Sequence, residues 1–205
     1  MKKFLFLAIA VLMATAANAQ LMTSRTFFGK ERNTVWFLRA GMSINNVTNV
    51  EETTSAVGYD VNIGFQKPIA SSAVYWGMDL GSSTRGFGYE ANGEDKTAMM
   101  YNVRFTPLTF GYKYSVTDNF KIDGHLGAYL SYDFAQSEDA EDLTISGSSL
   151  EEFDAGMQVG LGVWFKRFNI DFTYQRGFCA MADLDSDKFD TPYSSNFLIR
   201  LGIAF

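Results

Sequence analysis

The feature that most constrains this 205-residue chain is an alternation of apolar residues with polar or small ones, repeated in eight separate stretches. Successive side chains of a β-strand point to opposite faces, so each stretch predicts a strand with one apolar face. The pattern therefore predicts an all-β fold of eight strands. The stretches lie at 36–45, 57–66, 74–81, 99–114, 120–133, 153–165, 168–175 and 196–205.

The connections between these strands are expected to alternate in length. Long polar segments lie at 46–55, 83–96, 135–150 and 179–193, and short ones at 67–72, 115–119 and 166–167. The long segments carry net charges of −2, −1, −4 and −3. Alternating short turns and long loops are typical of an antiparallel up-and-down barrel that crosses the bacterial outer membrane. The sequence also predicts a β-bulge at Thr106-Pro107, because the alternation shifts by one residue there.

The first residues predict a secretory signal peptide, with a barrel domain over residues 20–205. Lys2 and Lys3 precede an apolar run, and Ala17-Asn18-Ala19 has the small residues of a cleavage site at residue 19. The apolar run is shorter than the ~20 residues that a membrane-spanning helix needs. With a net charge of −6, the chain is not expected to bind nucleic acid.

The residues opposite the apolar face decide between a soluble barrel and a membrane barrel. The water-exposed face of a soluble sheet is rich in Lys, Glu and Thr, whereas these strand centres carry short acids, arginines and glycines. Such residues fit the narrow interior of an eight-stranded barrel, where opposite charges pair. The sequence therefore predicts a transmembrane barrel with the apolar face toward lipid. Its predicted interior polar network comprises Arg39, Asp60, Asp79, Arg104, Asp123, His125, Asp171 and Arg200.

Together these features resemble the PorT-like small outer-membrane β-barrel family of Gram-negative bacteria, with broader similarity to OmpX- and OmpA-type barrels. The resemblance covers the mature chain and includes the segment at 101–108 and the terminal NFLIRLGIAF. It implies a C-terminal assembly signal recognised by the barrel-assembly machinery. The residues that match this signal are Phe197, Ile199, Leu201, Ile203 and Phe205. We expect a monomer in outer-membrane lipid with both termini in the periplasm.

No motif in the sequence predicts catalysis, and no cofactor is expected. His125 is the only histidine and fits an interior polar network better than a metal site or a general base. Asp183, Asp185 and Asp187 have the spacing that opens a calcium loop, but Lys188 stands where that loop needs glycine. They remain candidate metal ligands beside the simpler interpretation of solvated acids.

The sequence therefore predicts a non-enzymatic barrel that is structural or interacts with a surface or envelope partner through acidic loops. The alternative, suggested by the PorT resemblance, is a component of a protein-secretion or envelope-assembly complex. A small pore or a lipid-modifying enzyme is a third interpretation. An eight-stranded barrel is filled by its own side chains, which argues against the pore.

Overall fold

Period-two alternation produces long antiparallel strands throughout the computed structural model, which describes residues 34–48, 53–69, 73–91, 93–140, 149–183 and 192–205. Among these residues, no helix is long and apolar enough to cross a membrane. The eleven strands are β1 (Val35–Thr48), β2 (Thr53–Thr54), β3 (Ala56–Pro68), β4 (Val74–Ala91), β5 (Glu94–Ser115), β6 (Phe120–Gln136), β7 (Ser149–Leu150), β8 (Phe153–Phe165), β9 (Phe168–Ala180), β10 (Ala182–Asp183) and β11 (Tyr193–Ala204). The predicted signal peptide lies outside the described residues.

Eight of these strands close into a ring, which confirms the predicted antiparallel up-and-down barrel. Each long strand pairs with the next along the chain, and β1 pairs with β11 to close the ring. In that closing pair Arg39 lies opposite Gly202 and Gly41 opposite Arg200. Closure leaves no unpaired barrel edge, so backbone groups inside the membrane find partners in neighbouring strands.

The predicted long loop at 83–96 is wrong. β4 continues to Ala91 and β5 begins at Glu94, so the two strands form a hairpin that ends in a tight turn. Gly93 has a positive φ of 80°, a conformation that glycine adopts without steric cost. The sequence did contain the signal for this turn, because Asn-Gly is the dipeptide most typical of two-residue hairpin loops.

The end of this hairpin projects beyond the barrel as a two-stranded ribbon. Pairing of β3 with β4 ends at Ser83, and pairing of β5 with β6 ends at Met100. Past these points, residues 86–91 pair only with residues 94–99 and, at one place, with β2. Six residues of strand make the ribbon about 20 Å long.

The predicted bulge at Thr106-Pro107 is confirmed. Phe105 lies opposite Leu130 and Leu108 opposite Ala128, so Thr106 and Pro107 share one partner position on β6. Proline has no backbone N–H to donate to the ladder, which explains why the extra residue is placed here. The bulge restores the alternation, with Thr106 buried and Leu108 exposed.

The two faces of the barrel are inverted relative to a soluble protein. Large apolar side chains cover the outside, and Leu201, Leu161 and Phe168 are each more than 60% exposed. Charged and polar side chains line the inside, where Arg104 and Arg200 are 1% exposed. Aromatic residues occur near both ends of the outer surface, as expected at the two interfaces of a bilayer.

Apolar clusters close both ends of this polar interior. At the end with the short turns, the cluster consists of Val35, Phe37, Trp164 and Ala204. At the other end, the ribbon, a helical turn at 138–140 and the strands of the small β7–β10 sheet come together. The cluster there, called the mouth plug below, consists of Val47, Ala98, Met100, Ala140, Leu150 and Met181, with Phe87 and Tyr89 packed against it.

Candidate functional site in the barrel interior

All eight residues of the predicted interior network lie inside the barrel. Each of the eight is at most 7% exposed, and they come from seven different strands. They do not form one uniform network. Arg200 and Asp171 occupy its centre, while Asp79 and Asp123 bind mainly neutral donors at its periphery.

Arg200 bridges two buried carboxylates. Its Nε donates to Asp171 Oδ1 at 3.0 Å, and its Nη1 donates to Asp60 Oδ1 at 3.3 Å. Arg104 binds the other oxygen of Asp60. Arg39 lies 3.7 Å from Asp171 and donates its Nε to Asn169 at 2.9 Å. Charges removed from water must be paired, and these ion pairs supply the opposite charge, although Nε and Nη2 of Arg104 and Nη2 of Arg39 make no hydrogen bond to a described residue.

Asp123 is held by two neutral donors. The hydroxyl of Tyr75 donates to it at 2.7 Å, and the indole N–H of Trp164 donates at 3.2 Å. Asp79 similarly accepts hydrogen bonds from Asn62 at 3.0 Å and Thr106 at 3.2 Å. The sequence pattern does not predict these four donors as members of the network, since neutral side chains give no charge signal.

His125 lies among groups that resemble a catalytic triad only in composition. Its Nε2 is 3.2 Å from the hydroxyl of Thr173, and its Nδ1 is 3.9 Å from Asp123. The Thr173 hydroxyl is fully buried and donates to Asp171 at 2.8 Å. A nucleophile needs access to substrate and a base to accept its proton. Thr173 is fully buried without access to substrate, and its hydroxyl proton is directed to Asp171 rather than to His125, so we interpret this arrangement as a hydrogen-bond network.

Close packing explains how the network fits inside the barrel. A Cβ added at Gly160 would lie 2.3 Å from His125 Nε2 and 2.6 Å from the Thr173 hydroxyl. Only glycine leaves room for both side chains at this point of β8. His125, Arg39 and Thr109 border a cavity of about 10 Å³, which is room for about one water molecule.

A second buried ion-pair cluster lies nearer the mouth plug, and sequence reasoning missed it. Arg85 lies 2.7 Å from Asp133 and 3.7 Å from Asp154. Asp154 also accepts hydrogen bonds from Tyr129 at 3.0 Å and Ser194 at 2.6 Å. Arg85 was missed because it fell within the predicted loop. Its place on an inward row could have been found from the Asn-Gly hairpin signal.

The other predicted sites lie elsewhere. The five assembly-signal residues all occupy the outward row of β11 and its C-terminal end, with Leu201 the most exposed. Of the candidate metal ligands, Asp183 belongs to β10, while Asp185 and Asp187 lie outside the described residues. In the part of the chain that the structure describes, no group of three or more acids, histidines or cysteines is placed to hold a metal ion.

An apolar outer belt, a closed ring of eight strands and a paired polar interior together define a small transmembrane β-barrel. The chain belongs to the family described as outer membrane protein beta-barrel domain, whose model matches residues 18–183. This family places the protein in the bacterial outer membrane. A search of the curated proteins found no match.

Solved structures of small outer-membrane barrels resemble this fold. OprG from Pseudomonas aeruginosa is 13% identical, with 85% of this chain and 97% of OprG covered and a TM-score of 0.49. Neisserial surface protein A is 15% identical, with 83% and 97% covered and a TM-score of 0.43. Ail from Yersinia pestis is 18% identical, with 84% and 100% covered and a TM-score of 0.40.

The bridging role of Arg200 gives a direct test of the interior. We expect Arg200→Leu to lower the free energy of unfolding by about 3–5 kcal/mol, because it leaves Asp171 and Asp60 buried with fewer partners. Arg200→Lys keeps the charge but cannot bridge both carboxylates. It should therefore lower the free energy of unfolding by less than Arg200→Leu does. The free energy of unfolding of the original protein and of both variants can be measured by urea unfolding in lipid vesicles, monitored by tryptophan fluorescence.

A matched control for this experiment is Lys67→Leu, which removes an exposed positive charge near the end of β3. It should leave the unfolding midpoint almost unchanged. Equal stability of the Arg200→Leu variant and the original protein would show that the interior pairs do not support the barrel.

Proposed function

We propose that this protein is a closed, non-enzymatic barrel that works through the surface around its ribbon and mouth plug. The observation that carries the proposal is the ribbon itself, a two-stranded extension about 20 Å long that continues after pairing with β3 and β6 has ended. Binding residues are disproportionately found on exposed segments that a rigid scaffold holds in place. The barrel supplies the scaffold, and its filled interior argues against a channel.

Several contacts hold the ribbon in a defined position. The Thr97 backbone N–H donates to Asp139 at 3.2 Å, and the Tyr89 hydroxyl donates to the Asp139 carbonyl at 3.0 Å. The Met99 N–H donates to the Ser137 hydroxyl at 3.1 Å. Apolar contacts of Ala98 and Met100 in the mouth plug add to these bonds. A surface fixed in this way can bind a partner without a large ordering cost.

The proposed orientation puts the ribbon outside the cell and both termini in the periplasm. Two of the three short connections, at 116–119 and 166–167, lie at the same end of the barrel as residues 34 and 205. Short periplasmic turns and longer external connections are the rule for bacterial barrels. The acidic residues at the tip of the ribbon, Glu90, Glu94 and Asp95, would then face the medium.

The orientation can be tested by labelling single cysteines in intact cells. In a Cys179→Ser background, Glu94→Cys at the ribbon tip should react with a membrane-impermeant maleimide. Asp118→Cys in the turn between β5 and β6 should react only after the outer membrane is permeabilised. Both positions are exposed in the folded protein, so access depends on the side of the membrane. The reverse pattern would exclude the proposed orientation.

Site-specific photo-crosslinking can test the proposed role of the ribbon. A photoreactive residue in place of Glu94 should form adducts with a surface partner in intact cells, while the same residue in place of Asp118 should not. Neutralising the tip with Glu90→Gln and Asp95→Asn should weaken those adducts, because charged groups at the rim of an interface steer association.

The opposite outcome would favour a different function. Adducts of defined size at position 118 and none at position 94 would contradict the surface role and support a component of a periplasmic secretion or assembly complex. The expected molecular partner is a protein or glycan at the cell surface, and the chain itself is proposed to be a monomer in outer-membrane lipid.

A further inference from the structure

Arg176 is a cation on the lipid-facing side of the barrel. The sequence predicted a strand that ends at residue 175, but β9 continues to Ala180 and carries Arg176 outward. The outward row of β9 is otherwise uncharged: Phe168, Ile170, Phe172, Tyr174 and Phe178. The outward rows of the neighbouring strands β8, β11 and β1 also contain no charged residue. A charged group in such a surface calls for a physical explanation, because it is costly within hydrocarbon.

The position of Arg176 is at the level of lipid headgroups. It lies eight residues past Phe168, which marks the end with the short turns, and a tilted strand rises about 20 Å over that length. The apolar belt of a bacterial barrel is about 25 Å tall. Phe178, one step further along the outward row, is 59% exposed. Arg176 therefore lies within the aromatic belt, below the open solvent.

The side chain of Arg176 is held at the outer surface of the barrel by two contacts. It reaches across β11 to β1, where Nη1 donates to the Thr48 hydroxyl at 2.6 Å. Its guanidinium carbon lies 5.6 Å from the centre of the Tyr193 ring, a distance typical of a cation–π contact. Beside it, the hydroxyls of Tyr174 and Ser195 are 3.0 Å apart. The guanidinium is thus fixed in one orientation before any ligand binds.

The charge of Arg176 is not neutralised within the part of the chain that the structure describes. The acidic residues that pair with interior arginines, such as Asp171 and Asp154, point to the opposite face of the wall. No described carboxylate lies within 4.0 Å of Arg176. A guanidinium has five N–H donors, and Thr48 accepts from only one of its three nitrogens. The remaining donors make no hydrogen bond to a described residue.

We propose that Arg176, with Thr48, Tyr193 and Ser195, forms a binding site for the phosphate of a lipid in the outer leaflet. The planar donor fork of arginine matches phosphate oxygens and can bind two of them at once. The hydroxyl of Ser195 supplies a further donor beside it, while Thr48 accepts from Arg176 and donates to the Tyr193 carbonyl, which holds the guanidinium in place. The chemistry recognised is a lipid phosphate at the edge of the apolar belt, and a phosphorylated glycolipid is the occupant that the test below uses.

The assignment to the outer leaflet rests on the orientation given under Proposed function, but the phosphate site itself does not. Binding in detergent micelles is independent of the direction in which the barrel crosses the membrane. A loss of binding in micelles therefore counts against the site alone. A reversed labelling pattern at Glu94→Cys and Asp118→Cys counts against the orientation alone.

The test uses the folded full-length barrel in a neutral detergent. A glycolipid of the lipid A type with two phosphates is titrated into it, and bound lipid is measured by native mass spectrometry. The same glycolipid without phosphates serves as the reference ligand. We expect Arg176→Gln to weaken binding of the phosphorylated lipid about tenfold, as loss of a charge-assisted contact would do, with little change for the reference.

Two further variants separate specific recognition from general charge effects. Arg176→Lys keeps a positive charge without the planar donor fork. Its affinity for the phosphorylated lipid should lie between those of the original protein and Arg176→Gln. Lys67→Gln removes an exposed charge at the opposite end of the barrel and should leave binding unchanged. Unchanged binding by Arg176→Gln, an equal loss for both lipids, or an equal loss in Lys67→Gln would each overturn the proposal.

Discussion

The pairing of buried arginines with aspartates is the interaction on which the rest of this structure depends. A narrow barrel that faces lipid must turn its polar groups inward, where water cannot solvate them. Arg200 meets this constraint by bridging Asp171 and Asp60, and Arg85 does the same with Asp133 and Asp154. Breaking a buried pair costs far more than an exposed one, so these contacts fix the arrangement of strands around them.

The interior pairs also explain the closed ends. Water that entered from either end would compete for the same donors and acceptors, and apolar side chains at both ends keep it out. Phe37 and Trp164 close one end, and Met100 and Met181 close the other. The Trp164 indole N–H also donates to Asp123, so one residue takes part in both the apolar cap and the polar network.

Much of this architecture could be predicted from the sequence, because alternation reports directly on which face a residue occupies. Arg200 is the one charged residue in an otherwise apolar stretch, and its position identifies the inward row of β11. The bulge at Thr106-Pro107 follows from a shift of one residue in the alternation. Pairing could not be predicted in the same way. That Arg104 meets Asp60 depends on the register of β3, β4 and β5 together, which no local pattern encodes.

The errors have a common physical cause. Segment 83–96 is polar and contains glycines, a composition typical of loops. Backbone pairing and contacts in the mouth plug nevertheless hold it in β4 and β5. Arg176 escapes prediction for a related reason, because its charge interrupts the apolar row and the alternation therefore predicts a strand that ends at Gln175. In a barrel, tertiary pairing extends strands beyond the range in which local sequence shows them. The two features outside the interior for which a function is proposed, the ribbon and Arg176, both lie in these extensions.

Protection of the arginine side chains from solvent exchange tests the closed, paired interior most directly. Solution NMR of the folded barrel in detergent can follow the Nε–H protons of Arg39, Arg85, Arg104 and Arg200 beside that of Arg176. The paired interior should make the first four exchange with water at least about a hundredfold more slowly than Arg176, since opening must precede exchange. Equal, rapid exchange of the Nε–H protons of all five arginines would contradict a closed, paired interior and indicate a hydrated lumen.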